Sequence, residues 1–419
     1  MDIARFFIPI IAGSWQTVSA PDAAFNWLPF TIQKSGASKF RISPSFNLET
    51  YANIAVAKTY YVDRAMPDDT GNGLTWATAF QKLGTALAKA DVDRIYIAEG
   101  VYEYGYGWDG YDCARSVKVI GIGNVVLAPH ATLSWSAVDS HYEAVATGGT
   151  LVLDLTNIDS FGDYQMLVKK TSSADVDATA GSWYYASNVF YVHTFDDRAP
   201  DANIWTYQAV NNGLSYKAKT FYLENLKFYG VGWTHFINNA DGKTYAKNCE
   251  FKYPGATGNG FLFMAGESIV QNCLASRSYQ GDGFHCNERA AGVGSNFAMI
   301  DCISHNHGDA TKNNCNGYSS HGAQVVTAIN CNFTDSYGPS WKNAADVGLP
   351  KEWALGCLLR DPIGQIAATD VNYSTIGTGW LDGCTSIGAV TDLEVGAGGA
   401  IYYRNLNSGG VFIGAPVPY

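Results

Sequence analysis

A short repeated segment is the feature that most limits how this chain of 419 residues can fold. Asn or Asp stands directly before Cys four times, and these cysteines follow one another at 24, 29 and 29 residues: Asn248-Cys249, Asn272-Cys273, Asp301-Cys302 and Asn330-Cys331. The pattern extends upstream to Asn225-Leu226 and downstream, with Gly for Asn, to Gly356-Cys357 and Gly383-Cys384. A period in the twenties with one apolar strand per unit is typical of a solenoid. We therefore predict an all-β fold, a parallel β-helix.

The repeat also predicts where its side chains point. Each Cys would point inward, each Asn would stand at a corner of its coil, and an inward residue would follow two positions after the Cys, at Phe228, Phe251, Ala275, Ser304 and Phe333. Like residues of neighbouring coils would then lie about 4.8 Å apart, so that stacked amides can hydrogen-bond. Because buried Cys behaves as a small apolar residue, we expect free thiols that fill the core. No CxxC pair suggests zinc.

Charge and composition exclude several classes of protein. A net charge of -11 without a run of Lys or Arg lacks the basic surface of a nucleic-acid-binding protein. The apolar run from Phe6 to Gly13 is shorter than the roughly 20 residues of a membrane span, and Asp2 beside a single Arg5 makes a poor signal peptide. We expect no nucleic acid as partner, no membrane span and no export by a signal peptide. The acidic charge and the 14% of aromatic residues favour contact with neutral sugar or with protein. The charge weighs slightly against an anionic substrate unless a local basic groove overrides it.

The segment before the repeats has the pattern of a cap. Tyr60 to Asp63 predicts a strand, a turn-rich loop follows, and Thr78 is the expected N-cap of a helix from Ala79 to Ala90. A second strand, Ile95 to Ala98, ends before Gly100. Such a cap would cover the open end of the solenoid, whose exposed edge otherwise invites aggregation.

This order of strand, Gly-rich loop, helix and strand resembles the first coil of right-handed parallel β-helix proteins of the pectate-lyase-like superfamily. The resemblance rests on Gly73-Leu74-Thr75-Trp76-Ala77-Thr78 and on Ile95 to Tyr102, and with the Asn-Cys coils it covers residues 58–395. It implies an all-β, right-handed parallel β-helix solenoid with an N-terminal cap helix inside residues 58–102. It implies little about chemistry.

A second stretch resembles an excursion from the helix wall in β-helix proteins of phage tails and bacterial surfaces. It reads Gly181-Ser182-Trp183-Tyr184-Tyr185, then Val189 to Thr194, then Arg198-Ala199-Pro200. Two alternating strands around Ser187-Asn188 predict a β-hairpin excursion over about residues 165–215. Two roles are open to its aromatic side chains, stacking on sugar and packing the hairpin onto the coils.

The two ends of the chain lack the coil pattern. Residues 1–57 are similar in position to the attachment segment of phage tailspikes, and we expect attachment or oligomerisation from them. Residues 396–419 are Gly-rich and apolar, and we expect them to close the far end or to contact neighbouring chains. The resemblance to tailspikes implies a homotrimer and attachment to phage tail proteins through residues 1–57.

Polar residues are densest between Gln280 and Trp353, where the candidate catalytic groups collect. Gly258-Asn259-Gly260-Phe261 and Gly281-Asp282-Gly283-Phe284 share one pattern 23 residues apart, so Asp282 is expected to stack over Asn259. An Asp in the place of a neighbour's Asn is a candidate catalytic acid, although a simple turn Asp is the alternative. The candidate catalytic residues are Asp282, Asp309, Glu288, His307, His285 and Lys312.

These residue types fit two reactions on a polysaccharide. Hydrolysis needs two carboxylates about 5 to 5.5 Å apart for retention or 6.5 to 9.5 Å for inversion, and neighbouring coils supply such separations. Elimination from a uronic acid polymer needs a base such as His307 or His285, and a cation such as Lys312, Arg289 or Arg277. The two reactions stand nearly level. We predict no metal site and no cofactor; Ca²⁺ is compatible with elimination, but no ligand set stands out for it.

The candidate substrate-binding residues are side chains that stack on a sugar or hydrogen-bond to it: His305, His321, Tyr337, Trp341 and Trp353. For each of the aromatic rings, burial in the core is an equally open role.

These features together predict a virion receptor-binding protein, similar to phage tailspikes, that binds and depolymerises a polysaccharide of a host cell surface. A non-catalytic adhesin or structural virion spike is the first alternative, because the paired Asp and Arg/Lys signatures of pectate lyases and polygalacturonases are absent. A bacterial polysaccharide lyase or epimerase, extracellular or on the cell surface, is the second alternative. The missing signal peptide disfavours it.

Overall fold

Successive coils of the chain stack into one solenoid. A computed structural model describes residues 14–108, 111–113, 115–207, 214–217, 219–230, 236–254, 258–288, 292–309, 314–344, 348–360 and 371–419. Its strands pair in parallel from coil to coil, giving a right-handed parallel β-helix of about ten coils. The predicted fold class is confirmed.

Three parallel sheets form the wall of the solenoid. The first contains Thr59–Val62, Arg94–Tyr102, Val117–Leu127, Thr220–Tyr229, Phe236–Lys247, Phe261–Gln271, Asn296–Ile300, Val325–Ile329, Lys351–Leu355, Thr378–Asp382, Ala400–Arg404 and Val417–Pro418. The second contains Glu250–Lys252, Leu274–Ser276, Ile303–His305, Asn332–Thr334, Leu358–Arg360, Thr385–Ile387 and Asn407–Ser408. The third contains Tyr111–Cys113, Leu214–Lys217, Phe284–Cys286, Tyr318–His321, Trp341–Ala344, Val371–Thr375, Thr391–Val395 and Val411–Ile413. Several early strands are long enough to bend from one sheet into the next.

Each coil turns from the first sheet to the second through one residue in the left-handed backbone region. The residues at this corner are Asn225, Asn248, Asn272, Asp301, Asn330, Gly356 and Gly383, with φ between 51° and 63°. Gly adopts this conformation freely and Asn or Asp at small cost, which explains why one of the three precedes each Cys that follows this corner. The Asn248 amide donates a hydrogen bond to Asn225 Oδ1 at 3.0 Å, and Asn330 donates to Asp301 Oδ1 at 3.0 Å. The predicted corner ladder is confirmed.

Inward side chains fill the solenoid as the repeat predicts. All nine cysteines are free and buried, which confirms the expected thiols. The rings of Phe228 and Phe251 stack on neighbouring coils with centroids 5.4 Å apart. Because every coil buries its apolar residues only against the coils beside it, the core is a continuous column.

A helix caps the first coil, but it is shorter than the sequence predicts. The α-helix spans Leu83–Leu87 and buries Leu83, Ala86 and Leu87, and a 3₁₀ turn spans Trp76–Thr78. The expected helix from Ala79 to Ala90 with Thr78 as N-cap is wrong. Phe80 is held in extended backbone instead, because its N–H donates to the Tyr61 carbonyl at 2.9 Å. The Thr78 hydroxyl donates to Asn72 Oδ1 at 2.8 Å and caps nothing.

An inserted unit leaves the wall between Leu127 and Leu214, where one coil passes from its second to its third sheet. One of its sheets contains Ser136–Val138, His141–Val145, Val168–Lys169, Ser182–Ala186 and Val189–His193; the other contains His130–Ala131, Leu151–Ile158, Tyr164–Met166 and Ile204–Tyr207; a helix spans Ser173–Asp177. The predicted hairpin is present, because Ser182–Ala186 pairs antiparallel with Val189–His193 around Ser187 and Asn188, both at positive φ. The Trp183 and Phe190 rings are buried in the unit's own core.

Residues 14–57, here called the strap, lie along the outside of the first sheet. The strap contains strands Gln16–Thr17, Ile32–Ser35 and Lys39–Ile42, a 3₁₀ helix Ala23–Trp27 and an α-helix Leu48–Tyr51. Asp22 pairs with Lys351 at 2.8 Å near one end, and Glu49 pairs with Lys118 at 3.0 Å near the other. The strap therefore runs from late coils back to early ones. Its expected role in attachment stays a prediction.

Residues 396–419 continue the solenoid. Ala400–Arg404, Asn407–Ser408, Val411–Ile413 and Val417–Pro418 each pair in parallel with the preceding coil. Val411 and Val417 are about half exposed, so this last coil presents an apolar end. None of the helices in the described ranges has the length and apolar character of a membrane span.

Candidate functional site

Four of the predicted catalytic residues, Asp282, His285, His307 and Asp309, lie on or beside the turns that connect the second sheet to the third. In two successive coils these turns follow Leu274–Ser276 and Ile303–His305, and the later turn is the longer. The inserted unit leaves the wall at the same connection of an earlier coil. It therefore overhangs the later turns, and the two surfaces face each other.

Asp282 is buried on the first of these turns and is fully hydrogen-bonded. Its Oδ1 accepts bonds from the backbone N–H and the side-chain amide of Asn316, both at 2.7 Å. Its Oδ2 accepts from Ser319 Oγ at 2.5 Å and from His285 Nδ1 at 3.0 Å. Burial alone would raise the pKa of Asp282, but the bonds from His285, Ser319 and Asn316 outweigh it and hold the pKa below its usual value. Asp282 is thus a carboxylate at neutral pH.

The predicted stacking of Asp282 over Asn259 is confirmed. The Asp282 N–H donates to Asn259 Oδ1 at 2.8 Å, and Phe284 pairs with Phe261 in register. Gly283 is required between them, because a Cβ there would lie 1.9 Å from Ser304 Oγ. The glycine-flanked Asp therefore marks a real structural position, and its carboxylate points towards the third sheet.

His285 lies in the strand Phe284–Cys286 and points outward between two inward residues. A carboxylate only accepts hydrogen bonds, and the single Ser319 hydroxyl proton goes to Asp282, so the proton between His285 and these two partners belongs to Nδ1. In the neutral ring Nε2 then carries a lone pair, and it makes no hydrogen bond to the described residues. An imidazole held in this tautomer by a carboxylate is suited to act as a general base at Nε2.

Outward residues of the third sheet continue this polar surface from coil to coil. His285 pairs with Ser319, Ser319 with Lys342, Lys342 with Ser374 and Ser374 with Glu394. We call these five residues the polar stripe. His321, two positions after Ser319, lies beside it with its ring centroid 5.1 Å from that of His285. The stripe is half-buried at Lys342, Ser374 and Glu394 and mostly buried at His285 and Ser319.

A cleft of about 260 Å³ opens where the inserted unit faces the turns. Its lining includes Met166, Lys169 and Trp183 from the unit and Arg277, Gln280 and Asp309 from the turns. The turn that supplies Arg277 and Gln280 to the cleft continues into Asp282, so the cleft adjoins the stripe. A mainly apolar wall with a few charged and amide groups is typical of small-ligand and sugar sites.

Buried ion pairs fix the inserted unit against the coils. Asp159 of the unit binds Arg277 and accepts a bond from Asn306 at 3.1 Å. Asp163 binds Lys252 at 2.8 Å. Burial raises the pKa of Asp159, but bonds from the backbone and from Arg277 hold it below the usual value. The unit is therefore docked by Arg277, on a turn that lines the cleft, and by Lys252, at the end of the strand Glu250–Lys252.

The two histidines of the second turn take structural positions. His307 is fully buried: its Nδ1 accepts from the Ser278 N–H at 3.2 Å, and its Nε2 contacts Ser304 Oγ at 2.9 Å. Burial lowers the pKa of His307 to about 3, so it is neutral and engaged on both sides. His305 stacks on Phe161 of the inserted unit with centroids 4.9 Å apart, and burial lowers its pKa.

The structure scatters the remaining predicted residues. Both Glu288 carboxylate oxygens accept backbone bonds, from Ala323 at 2.8 Å and Gly292 at 3.1 Å, so Glu288 joins two loops. Tyr337 is half-buried on the next turn. Trp341 is buried inside the solenoid, and Trp353 is buried on its outside, under Phe25 of the strap. Lys312 lies outside the described residues, as does Arg289.

Three contributors to the site were missed in the sequence: Ser319, Asn316 and Lys342. Ser319 follows His285 by 34 residues, whereas the repeat cysteines of adjacent coils between Cys249 and Cys384 are at most 29 residues apart. The longer turn between them shifts the alignment of the coils. Tyr318 is an inward aromatic residue that pairs with Phe284. An alignment of the two coils on this pair would have placed Ser319 beside His285.

No family model and no curated protein matches this chain. A solved structure described as a glycoside hydrolase has a TM-score of 0.54 at 10% identity, over 85% of this chain and 96% of its own. The pectate lyase Pel9A has a TM-score of 0.47 at 13% identity, over 86% and 78%. A tailspike protein of Acinetobacter baumannii bacteriophage Fri1, described as a capsular polysaccharide depolymerase, has a TM-score of 0.32 at 11% identity, over 96% and 72%. At such identities the likeness concerns the fold, and it agrees with the β-helix resemblance.

Proposed function

We propose that the protein binds a polysaccharide along the polar stripe and the adjoining cleft and depolymerises it with His285 as general base. The observation that carries this proposal is the His285 ring, whose Nδ1 is held 3.0 Å from the Asp282 carboxylate while Nε2 makes no bond to the described residues. A merely structural histidine such as His307 has both nitrogens engaged. The contrast between the two rings supports a chemical role for His285.

Two reactions are compatible with such a base. In hydrolysis, Nε2 would take a proton from the attacking water, and Asp309 in the cleft would be the candidate acid. In elimination, Nε2 would take a proton from the sugar carbon beside a carboxylate, the C–O bond from the next carbon to the leaving sugar would break as a C=C bond forms, and the leaving oxygen would take up a proton from water. Asp282 itself is a poor acid, because its four hydrogen bonds favour the ionised form.

The cleft supports the binding half of the proposal. Lys169, with its ammonium 5.1 Å from the Trp183 ring, is exposed at its rim, and Gln280 and Asp309 add polar groups. Sugars combine hydroxyl groups with apolar faces and are bound by such mixed walls. Of the residues predicted for substrate binding, His321 lies beside the stripe and Tyr337 is half-buried on the next turn, whereas His305 is buried against Phe161.

The proposed setting is a virion, in which the protein acts as a host receptor-binding spike. The sequence resemblance to phage tailspikes supports this setting, together with a homotrimer and attachment through residues 1–57. Light scattering of the purified chain tests the trimer, and a monomer at micromolar concentration would count against the spike. An extracellular or cell-surface enzyme is the alternative setting.

An activity assay on capsular polysaccharides and lipopolysaccharides from candidate hosts tests the function. New reducing ends without absorbance at 235 nm indicate hydrolysis, and reducing ends with that absorbance indicate elimination. His285→Gln is expected to lower the rate by about 100-fold or more, the usual contribution of a general base. His141→Gln is the matched control, because the Nδ1 of His141 bonds to Asp177 at 2.7 Å on the inserted unit, three strands from Lys169.

The alternative outcomes separate the hypotheses. Equal loss of activity in His285→Gln and His141→Gln would show that the pair of His285 and Asp282 has no special role in the reaction. Binding without cleavage by the wild-type chain would favour the adhesin alternative, with the stripe as a recognition surface. If the wild-type chain neither binds nor cleaves any polysaccharide of the panel, the proposed function is wrong.

A further inference from the structure

We infer that the polymer bound along the stripe carries anionic groups and that Lys342 binds one of them. This inference rests on the proposed function, since it names the class of polysaccharide that the same surface takes. It starts from a difference between Lys342 and the other cationic residues of the solenoid wall.

Every other Lys or Arg on a coil strand whose side chain the structure describes is ion-paired with a carboxylate. These residues are Arg94, Lys118, Lys227, Lys243, Lys247, Lys252, Lys351, Arg360 and Arg404. On the wall of an acidic protein, with net charge -11, neutralisation of strand cations is thus the rule. Lys342 is the exception among the described coil strands.

Lys342 is held by a neutral group instead. Its ammonium donates a hydrogen bond to the side-chain carbonyl of Asn314 at 2.6 Å, and its backbone is fixed between Ser319 and Ser374. An amide orients the ammonium but leaves its full charge in place. A positioned, half-buried cation with no counter-ion among the described residues is suited to bind a ligand anion by a charge-assisted hydrogen bond.

The neighbours of Lys342 define where that anion would sit. Ser319 and Ser374, one coil away on either side at about 4.8 Å, donate their single hydroxyl protons to the carboxylates of Asp282 and Glu394, so the donor that the stripe offers to an anion is Lys342. Glu394, two coils away, accepts a bond from Ser374 at 2.8 Å and would repel an anion on its side. The favourable place is therefore over the Lys342 ammonium itself, two coils from the proposed base His285.

The chemistry of the anion is that of carboxylate, sulfate or phosphate. A Lys ammonium is a compact point charge with rotatable donors and does not demand the planar geometry that Arg selects. The stripe alone therefore specifies negative charge, and the experiment separates the three sources of it.

Binding of the full chain to each polysaccharide of the same capsular and lipopolysaccharide panel provides the test. Each polymer that the wild type binds is also used after carboxyl reduction, after desulfation and after removal of phosphate. We expect binding to be lost after one of these treatments, which identifies the group. Equal binding to a wholly neutral polymer would overturn the inference while the proposed function stood, whereas no binding to any polymer would overturn both.

Variants tie the effect to Lys342. Lys342→Met is expected to weaken binding by about tenfold, and Lys342→Arg should keep most of it, since a charge-assisted bond contributes about that factor. Lys243→Met is the matched control: it removes the same charge from a coil strand of the first sheet, where Lys243 pairs with Glu267 at 3.5 Å. Added salt should weaken wild-type binding more than binding by Lys342→Met. Unchanged binding by Lys342→Met would sink the inference.

Discussion

The outward-facing side chains of the first sheet and those of the third sheet have different surroundings, although both sheets belong to the same coils. On the first sheet the outward column contains Tyr222, Tyr245 and Trp353, and the strap covers it with Phe25 and other apolar residues. On the third sheet the outward column is the polar stripe, which none of the described residues of the strap covers. The strand pairing is the same in both. The difference lies in what each surface contacts. The first sheet contacts the strap, a segment of the same chain, and in our proposal the third sheet binds a polysaccharide.

The largest expected effect lies on the covered column. Trp353→Ala should lower the free energy of unfolding by about 3–5 kcal/mol, because it leaves a cavity under Phe25, whose ring centroid lies 5.4 Å away. Urea denaturation measures the loss. Trp76→Ala, at a ring that is 41% exposed, is the control and should cost less. Unchanged stability with lost polysaccharide binding would return Trp353 to the substrate-binding role that the sequence left open.

A smaller effect is expected at the buried end of the stripe. Asp282→Asn should cost about 2–4 kcal/mol at pH 7, because His285 loses a charged partner and one donor of the network is left facing an amide. The pKa of Asp282 is lowered in the folded state, so its stabilisation is present above the unfolded value near 3.8 and is lost as pH falls through the folded value.

The difference in unfolding free energy between wild type and Asp282→Asn should therefore narrow in that acid range. Urea denaturation at pH 7 and at stepwise lower pH checks it. Asp139→Asn, an exposed turn position on the inserted unit, should change little at any pH. A difference that stays constant with pH would contradict the assignment of Asp282 as the buried carboxylate.

The corner ladder beside the covered column should respond to backbone conformation. Asn272→Ala is expected to cost about 1–2 kcal/mol, because Ala resists the φ of 51° at this corner. Asn272→Gly should cost less, since Gly adopts this φ freely and the Asn272 amide bond, at 3.4 Å, is weak. Thermal unfolding compares the two. Equal losses would mean that the amide bond, and not the conformation, stabilises the corner.

The smallest effect is expected at the open part of the stripe. Lys342→Met should change the free energy of unfolding by no more than about 0.5 kcal/mol, because its ammonium contacts only Asn314 among the described side chains. Urea denaturation of the variant checks this. A loss of several kcal/mol would show that the stripe stabilises the fold, and the contrast with the strap-covered column would disappear.

The repeat allowed much of the fold to be predicted. The corner Asn, the inward Cys and the pairing of Asp282 with Asn259 all follow from spacing, because a parallel solenoid converts a sequence period into contact between coils. The strap could not be predicted, since its residues carry no period. The helix was placed too early because Phe80 prefers a buried, extended position over the local helical pattern.

The site was predicted in part. Asp282 and His285 meet as a pair, which their spacing of three residues made available. Ser319 and Lys342 escaped prediction because one turn of unusual length breaks the period just before them. Trp341 and Trp353 were candidates for the substrate-binding surface but are buried. A shift of one residue along a strand decides whether a side chain faces the core or the outside, and composition does not reveal that register.

The path of the strap has a consequence for how the chain acquires its structure. A solenoid alone is nearly one-dimensional, so that coils contact only their neighbours and can form from either end. Lys34, however, binds Asp382 at 2.5 Å across 348 residues of sequence. During synthesis the strap emerges before the coils, yet the late coils that it contacts at Lys351 and Asp382 emerge after the coils that precede them. The strap can dock only when those coils exist, and once docked it makes early and late coils unfold together, so a modular array behaves as one cooperative unit.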